Sequence, residues 1–267
     1  MLTYFTFLFF FIGIPLTIVS IFYVKKYQGG DESRQRGIRK ILFALSILIA
    51  VAFIYTTPWD NFLVENAIWY YETSKVMGII IGFVPIEEYI FFIVQTLLIG
   101  LFFGWILIRK NKIKHFQHSS NINFHLVSSF FLLIIWFLSL FTFLISIESL
   151  TYLNLILLWG LPPIMIQLIF GADILWSSRR DLVLTITLST IYLAIADAIA
   201  ISEGIWTISS ATSTGILLAG ILPVEEFIFF LITNILITFG LALFIDSRSI
   251  NRITIIYSRV KETISQK

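Results

Sequence analysis

The sequence contains VPIEEYIFF at residues 84–92 and LPVEEFIFF at residues 222–230. Both copies place Pro-x-Glu-Glu directly before an aromatic and aliphatic run. A nine-residue match of this kind does not arise readily by chance and indicates an internal repeat. The fold is therefore expected to consist of two related halves, each carrying one pair of adjacent glutamates.

The similarity between the halves extends upstream of the glutamates. Asp60-x8-Trp69 in the first half corresponds to Asp197-x8-Trp206 in the second. Seventeen residues then separate the tryptophan from the first motif glutamate in the first half, and eighteen do so in the second. The second half therefore has one additional residue between the tryptophan and the glutamate motif.

The start of each half carries a third matching segment. Gly13-Ile14-Pro15 resembles Gly160-Leu161-Pro162, which predicts a repeat unit of three helices. A fourth span between the units acts as a connector, so both units enter the membrane in the same direction. The two glutamate motifs are therefore expected at one depth.

The composition is that of a membrane protein. Of the 267 residues, 58% are hydrophobic and only 13% are charged, against roughly 25% charged residues in soluble domains. A helix needs about 20 apolar residues to cross the hydrocarbon layer. The sequence predicts an all-α bundle of seven transmembrane helices, at about residues 2–24, 40–57, 76–108, 126–147, 152–172, 182–200 and 214–245.

Basic residues are concentrated on one side of this seven-span arrangement. Seventeen of the 18 Lys and Arg residues follow the first, third, fifth and seventh spans, and only Lys75 lies opposite. Short cytoplasmic loops retain Lys and Arg. The distribution therefore predicts a multi-pass protein of the cell membrane with its N-terminus outside and its C-terminus in the cytoplasm.

The domain boundaries follow from the repeat. They are residues 1–110 for the first repeat, 111–150 for a loop and the connecting helix, 151–246 for the second repeat and 247–267 for a cytoplasmic tail. Leu2–Val24 lacks a basic n-region and a small-residue cleavage site, so it is interpreted as a retained span. From Asn251 onward, the tail is either a helix on the membrane surface or a solvated, frayed segment.

The candidate catalytic residues are Glu87, Glu88, Glu225 and Glu226. Pro followed by Glu is an ordinary helix-start signal, but the residues before both prolines are apolar here. Two adjacent carboxyl groups in such surroundings, away from Lys and Arg, resist ionisation. At least one is expected to hold a proton at neutral pH, and Glu87 and Glu225 are expected to face the bundle interior.

Eight further residues are candidates for binding substrate or supporting the acids: Asp60, Asn61, Asp197, Trp69, Trp206, Tyr89, Phe92 and Phe230. Aromatic rings in membrane helices more often face lipid, and the two tryptophans are interpreted first as interfacial anchors and second as pocket walls. The aspartates and Asn61 either hydrogen-bond the glutamates or are solvated. Rings beside an acidic pocket would stabilise a carbocation.

These segments together carry a family resemblance. Pro58-Trp59-Asp60-Asn61, Ile68-Trp69 and the motif at residues 85–92, with their second-half counterparts, resemble the duplicated lycopene cyclase domain of the heterodimeric and fused membrane type. The resemblance spans all seven predicted helices. It implies cyclisation of the ψ-ends of lycopene to β-ionone rings, with the motif glutamates as acid–base groups. The implied partners are lycopene, other C40 carotenoids and the lipid bilayer.

The implied chemistry is free of redox steps and agrees with the residues. A protonated glutamate adds its proton to a terminal double bond, the neighbouring double bond attacks the cation, and a carboxylate removes a ring proton. The sequence contains no Gly-x-Gly-x-x-Gly and no cysteine. No cofactor, metal or nucleic acid is therefore expected, and His115, His118 and His125 are interpreted as solvated loop residues.

Other functions stay open from the residues alone. A proton- or cation-coupled transporter also uses repeats and broken helices. A retinal protein would need a lysine in the last span, and a prenyltransferase would need Asp-rich metal motifs; the sequence has neither. A cyclase that makes ε or other cyclic ends is a further alternative.

Overall fold

The computed structural model describes residues 2–109 and 122–265. Within these residues, seven helices are long and apolar enough to cross a membrane. They are α1 (Tyr4–Gln28), α2 (Glu32–Glu65), α3 (Ile86–Arg109), α4 (Ile122–Leu144), α5 (Thr151–Ser177), α6 (Arg179–Ser202) and α7 (Val224–Ile245), and α8 (Ser247–Ser265) follows them. The predicted seven-helix architecture is confirmed.

Short strands precede both motif helices. They are β1 (Trp69–Tyr71), β2 (Ile80–Ile81), β3 (Val84–Pro85), β4 (Trp206–Ile208), β5 (Leu217–Leu218) and β6 (Leu222–Pro223). In each half the last two strands form a tight hairpin. In contrast, β1 pairs antiparallel with β4, with Tyr71 opposite Trp206, and so joins the two halves.

The hairpins correct the predicted start of two spans. Residues 76–85 and 214–223 are apolar, but they turn back on themselves instead of extending α3 and α7. Gly82 and Gly220 adopt positive φ in these turns, a conformation that residues with a Cβ atom rarely adopt. Each hairpin pairs its own backbone groups, which is the condition for a non-helical segment near the nonpolar layer.

The two motif helices lie at the centre of the bundle. In the most apolar stretch of α3, two thirds of the residues are buried inside the bundle. In the corresponding stretch of α4, only 11% of the residues are buried. α3 contacts α1, α2, α6 and α7, and α7 contacts α5, α6, α2 and α3. Each motif helix therefore touches the first two helices of its own half and the second helix of the other half, while α4 packs outside on α5.

A pair of equivalent hydrogen bonds locks the halves together. The hydroxyl group of Tyr55 on α2 donates to the carbonyl oxygen of Trp159 on α5 at 2.8 Å. Tyr192 on α6 donates in the same way to Phe11 on α1 at 2.6 Å. Each acceptor precedes a proline by four residues, and proline has no N–H to pair with that carbonyl.

These bonds also define the correspondence between the halves. Phe11 precedes Pro15 and Trp159 precedes Pro163, so Pro15 corresponds to Pro163 and not, as predicted, to Pro162. A π-helical turn at Phe9–Gly13 lies just before Pro15. Equivalent residues differ by 148 in the first helix of each half, by 137 in the second and by 138 in the third.

The end of the bundle opposite the glutamates carries ion pairs. Arg252 on α8 contacts Asp173 at 2.5 Å, and His125 lies 3.3 Å from the same carboxyl group. His125 is buried in α4, so its interpretation as a solvated loop residue is wrong. His115 and His118 lie outside the described residues. The tail is helical, as α8, and its position on the membrane surface stays a prediction.

Asp246, between α7 and α8, shows how this end is held. Burial raises the pKa of its carboxyl group, but hydrogen bonds from Arg248 outweigh burial and lower that pKa below its usual value. The guanidinium group contacts both carboxylate oxygens at 2.9 Å. Charge is therefore compensated at this end, in contrast to the end that carries the glutamates.

Candidate active site

A small cavity lies where the two halves meet, near the start of both motif helices. Its volume is about 20 Å³. It is lined by Tyr4, Trp69, Tyr71, Glu88, Phe91, Asp197, Trp206, Glu226, Phe229 and Phe230. One glutamate from each motif thus faces the same aromatic space, although the two are far apart in the chain.

Glu88 accepts hydrogen bonds from two tyrosines. The hydroxyl group of Tyr4 donates to its Oε2 at 2.5 Å, and that of Tyr71 donates to the same oxygen at 3.0 Å. Burial raises the pKa of Tyr71 well above its ordinary value, and the charge of Glu88 raises it further. Tyr71 therefore keeps its proton and remains a donor throughout the neutral pH range.

Glu226 accepts a hydrogen bond from one tyrosine hydroxyl group, whereas Glu88 accepts two. Tyr152 donates to its Oε1 at 2.6 Å, and Tyr152 corresponds to Tyr4 in the repeat. The position that corresponds to Tyr71 is Ile208, which has no hydroxyl group. The two carboxyl groups in the cavity are thus related by the repeat but differ in the number of O–H groups they accept.

The other glutamate of each motif holds the preceding loop. Oε1 of Glu87 accepts the backbone N–H of Met77 at 2.6 Å, and Oε1 of Glu225 accepts that of Thr214 at 2.6 Å. Successive residues point about 100° apart on a helix, so only one of each pair faces the cavity. Glu88 and Glu226 line the cavity, whereas Glu87 and Glu225, which were expected to face the bundle interior, are fully buried beside the loops.

Two aspartates are buried beside the glutamates. Asp197 accepts a hydrogen bond from Nε1 of Trp206 at 2.9 Å. Asp60 has no exposed surface, and neither of its carboxyl oxygens has a partner in the described part of the chain. Asp60 interacts electrostatically with Glu88, and Asp197 with Glu226. No direct hydrogen bond joins an aspartate to a glutamate in residues 2–109 and 122–265, and the alternative of interfacial solvation is excluded by burial.

No cation neutralises the motif glutamates within the described residues. The ion pairs found there lie elsewhere. Lys75, the basic residue nearest in sequence to the first motif, donates instead to the backbone carbonyl of Glu203. Buried carboxyl groups without a cation resist ionisation, which agrees with a proton being held in this cluster.

Comparisons with known proteins identify the family. The chain is 32% identical over 242 residues to the lycopene beta-cyclase of Halobacterium salinarum, covering 91% of this chain and 95% of that protein. The chain belongs to the lycopene cyclase family. It is also 35% identical over 205 residues to the bifunctional lycopene cyclase/phytoene synthase of Podospora anserina, covering 74% of this chain and 34% of the larger protein. No family model and no solved structure matches the chain.

The two repeat tryptophans of this lycopene cyclase family member form walls of the cavity. Trp69 is buried, and both lie in the β1–β4 pair that joins the halves. Their first interpretation, as anchors at the membrane interface, is therefore wrong. Such anchors are surface residues, whereas here strand pairing across the halves turns the rings inward.

The remaining candidates have different positions. Tyr89 donates to the carbonyl of Ile81 at 2.8 Å and accepts from Asn61 at 2.9 Å, so the two hold the first hairpin against α2. Phe230 lines the cavity, whereas Phe92 lines a separate groove. The structure thus places Phe230 beside the cyclase family glutamates, and Tyr89 and Asn61 beside the loop.

An aromatic stack, not identified from the sequence, lies beside the cavity. The ring of Trp59 stacks on Trp159 at 4.6 Å and on Phe229 at 5.7 Å between centroids. Trp69 meets Phe229 edge-on at 5.8 Å. The repeat assigns Ala196 to the position of Trp59 in the other half, so this lycopene cyclase family member has the stack on one side only.

Three tyrosines of the site were also missed: Tyr4, Tyr71 and Tyr152. A signal for two of them was present, because Tyr4 and Tyr152 stand eleven residues before Pro15 and Pro163. Aligning the halves on those prolines would have matched the two tyrosines. Nothing in the sequence distinguishes Tyr71 from a residue of an exposed loop.

Proposed function

We propose that this chain cyclises the ψ-ends of lycopene to β-ionone rings by acid–base catalysis, with Glu88 and Glu226 as the acid–base pair. The observation that carries the proposal is that one glutamate from each motif faces a single aromatic cavity whose lining includes no cation. The names of the relatives support this substrate and product. The reaction needs no redox step and no cofactor.

The proposed reaction moves one proton in and one proton out. A protonated carboxyl group gives its proton to the terminal double bond of lycopene, which leaves a tertiary carbocation. The neighbouring double bond attacks that cation, so that the ring bond forms and the charge moves to a ring carbon. A carboxylate then removes a proton from the adjacent ring carbon, and the position of that proton decides between a β and an ε ring.

The hydrogen-bond donors to each glutamate support a division of the two roles. Hydrogen bonds from O–H groups stabilise an ionised carboxylate, and Glu88 accepts two of them whereas Glu226 accepts one from Tyr152. In this proposal Glu226 holds the proton and acts as the acid, and Glu88 acts as the base. The proton returns from Glu88 to Glu226 across the cavity that both line.

The aromatic walls supply the environment that a carbocation needs. The faces of Trp, Tyr and Phe attract a cation by roughly 0.5–2 kcal/mol per ring. Trp69 and Phe229 provide such rings in the same cavity as Glu226. Their burial also excludes water, which would otherwise capture the cation.

The test is conversion of lycopene by variants of the two glutamates. Glu88→Gln and Glu226→Gln in a lycopene-accumulating host are expected to abolish cyclic carotenoids while the protein stays folded in the membrane. Glu148→Gln is the matched control, because Glu148 is an exposed glutamate outside the cavity. Near-normal β-carotene from both cavity variants would refute the proposed chemistry.

We further propose that the protein lies in the cell membrane with its N-terminus outside and its C-terminus in the cytoplasm. The support is the placement of 17 of 18 basic residues on one side of the seven spans. Enzyme fusions that report the cytoplasmic or the outer side test this orientation at each terminus. A cytoplasmic signal from an N-terminal fusion would contradict it.

A further inference from the structure

A second cavity opens beside the acid cavity and is not used by the mechanism above. It is a groove of about 190 Å³ between α2, α3, α5 and α7, here called groove A. Its lining is mainly apolar and aromatic, with Thr56, Gln95 and Thr233 among its few polar residues. Its position between helices of both halves makes it accessible from the side of the bundle.

The repeat supplies a second copy of this groove on the other side of the molecule. Groove B, of about 300 Å³, lies between α1, α3 and α6. Seven of its lining residues correspond to residues of groove A, taking groove B first: Pro15 and Pro163, Val19 and Gln167, Leu98 and Leu236, Ile99 and Ile237, Leu188 and Val51, Ser189 and Ala52, Tyr192 and Tyr55. The two grooves are thus equivalent in the fold.

The grooves differ in whether they reach the acid cavity. Phe229 lines both groove A and the acid cavity, so one ring separates the two spaces. The corresponding residue in the other half, Phe91, lines the acid cavity but not groove B. Where groove A has Thr56, the other half has Leu193, which is 1% exposed and does not line groove B.

The aromatic stack lies on the same side as groove A. Trp159 lines the groove and stacks on Trp59, which in turn stacks on Phe229. A continuous run of rings thus leads from groove A to the wall of the acid cavity. Groove B has no such run, because Ala196 stands at the position that corresponds to Trp59.

We propose that groove A binds the polyene chain of lycopene while one ψ-end occupies the acid cavity, and that groove B does not take part. The proposal rests on the proposed function. The occupant follows from continuity with the acid cavity and from the apolar, aromatic lining, which suits a flat conjugated hydrocarbon. The acyl chain of a lipid has similar apolar character but no reactive end for the glutamates.

The dimensions determine how the substrate is held. Pockets that enclose a drug-sized ligand measure roughly 300–1,000 Å³, so the 190 Å³ of groove A encloses only one segment of a C40 chain. The rest of the chain lies along the bilayer. The acid cavity, at about 20 Å³, has no room for a ψ-end, and entry therefore requires the ring of Phe229 to move.

The experiment compares matched substitutions in the two grooves. Val51 and Leu188 are equivalent, and their side chains are 57% and 48% exposed, so a larger residue at either site is compatible with folding. Val51→Trp is expected to raise the KM for lycopene by about tenfold or more, because it obstructs a binding channel. Leu188→Trp is expected to leave KM and kcat within about twofold of the wild type.

A second variant tests the deep end of groove A. Thr56→Leu installs the residue found at the equivalent position of the other half, and the larger apolar side chain is expected to raise KM in the same way as Val51→Trp. Binding without turnover is measured from the absorption shift of lycopene added to the Glu226→Gln protein in vesicles, with and without Val51→Trp. The shift is expected to be lost with Val51→Trp and kept with Leu188→Trp.

The outcomes separate this proposal from the proposed function. Wild-type conversion of lycopene in the same vesicles establishes the reaction whatever the groove variants do. Unchanged KM and binding in both Val51→Trp and Thr56→Leu would overturn groove A as the polyene site and leave it as a lipid-binding groove. Loss of binding in Leu188→Trp alone would assign the substrate to groove B.

Discussion

The two halves of the molecule share a frame but differ at the cavity. In both halves, the first motif glutamate accepts a hydrogen bond from a backbone N–H of the preceding loop. The second accepts a hydrogen bond from the hydroxyl group of a tyrosine on the first helix of that half. Only the first half adds Tyr71, and only one side has the Trp59 stack. The comparison teaches that the repeat preserves architecture, whereas a few unmatched residues give the two glutamates the different surroundings from which we propose their chemical roles.

The largest expected effect separates the two glutamates within one motif. Glu226→Gln removes the proposed acid, and acid–base catalysis typically contributes 10²–10⁴-fold, so turnover should fall by about 10³-fold or more. Glu225→Gln should retain turnover and instead lower stability by about 1–3 kcal/mol, because it weakens the bond to the backbone of Thr214. Initial rates with lycopene and thermal unfolding in detergent measure the two effects.

A reversed pattern would contradict this division. If Glu225→Gln lost turnover as completely as Glu226→Gln while its melting temperature stayed unchanged, the glutamate on the loop would be a reacting group. The same comparison between Glu87→Gln and Glu88→Gln provides an independent repetition in the first half.

The next effect concerns the asymmetry in O–H donors. Tyr71→Ile copies the residue found in the second half and removes one of the two donors to Glu88. A hydrogen bond to a charged group is worth about 1.5–3 kcal/mol, so the rate of ring formation should fall by about tenfold or more. Tyr70→Phe, in the same strand but outside the cavity, is the control, and an equal loss in it would point to disruption of β1.

A smaller effect is expected when the hydrogen bonds that Tyr89 makes to the first hairpin and to α2 are removed. Tyr89→Phe installs the side chain of Phe227, its counterpart, and removes bonds to Asn61 and to the carbonyl of Ile81. Stability should fall by about 1–2 kcal/mol with turnover nearly unchanged. Thermal unfolding and lycopene conversion are measured on the same preparation; a large loss of turnover without loss of stability would place Tyr89 in the reaction.

The smallest effect tests whether the frame itself is symmetric. Tyr55→Phe and Tyr192→Phe each remove one bond to a carbonyl freed by proline. Each should lower the free energy of unfolding by about 1 kcal/mol, and by similar amounts. Denaturation in detergent measures both losses of unfolding free energy. A severalfold difference between the two variants would show that the two hydrogen bonds do not contribute equally to the stability of the fold.

The sequence predicted the helices well because long apolar runs and basic loops act locally. It also located the glutamates at the starts of two buried helices. The predicted start of the third span, at residue 76, was wrong. Residues 76–85 are apolar, and an apolar stretch of this length is compatible with a hairpin as well as with a helix. The sequence could not indicate which glutamate of each pair lines the cavity, since all four are buried and the neighbouring helices decide which space each side chain meets.

The missed residues share one cause. Tyr71 reaches the cavity because β1 pairs with β4, and Trp59 joins the aromatic stack because α2 lies beside α5. These are contacts between distant segments, and no local pattern specifies them. Tyr4 and Tyr152 were detectable in principle, but only with the repeat aligned on Pro163.

The strand pair β1–β4 places the reaction chamber at a seam between two polypeptide units. Neither unit forms the chamber alone, since each half supplies five of the ten residues that line it. Made as separate chains, the units would each be inert, and activity would appear only on their reassociation. Gene fusion or fission at the connector would then change how reliably the chamber assembles without altering the chemistry inside it.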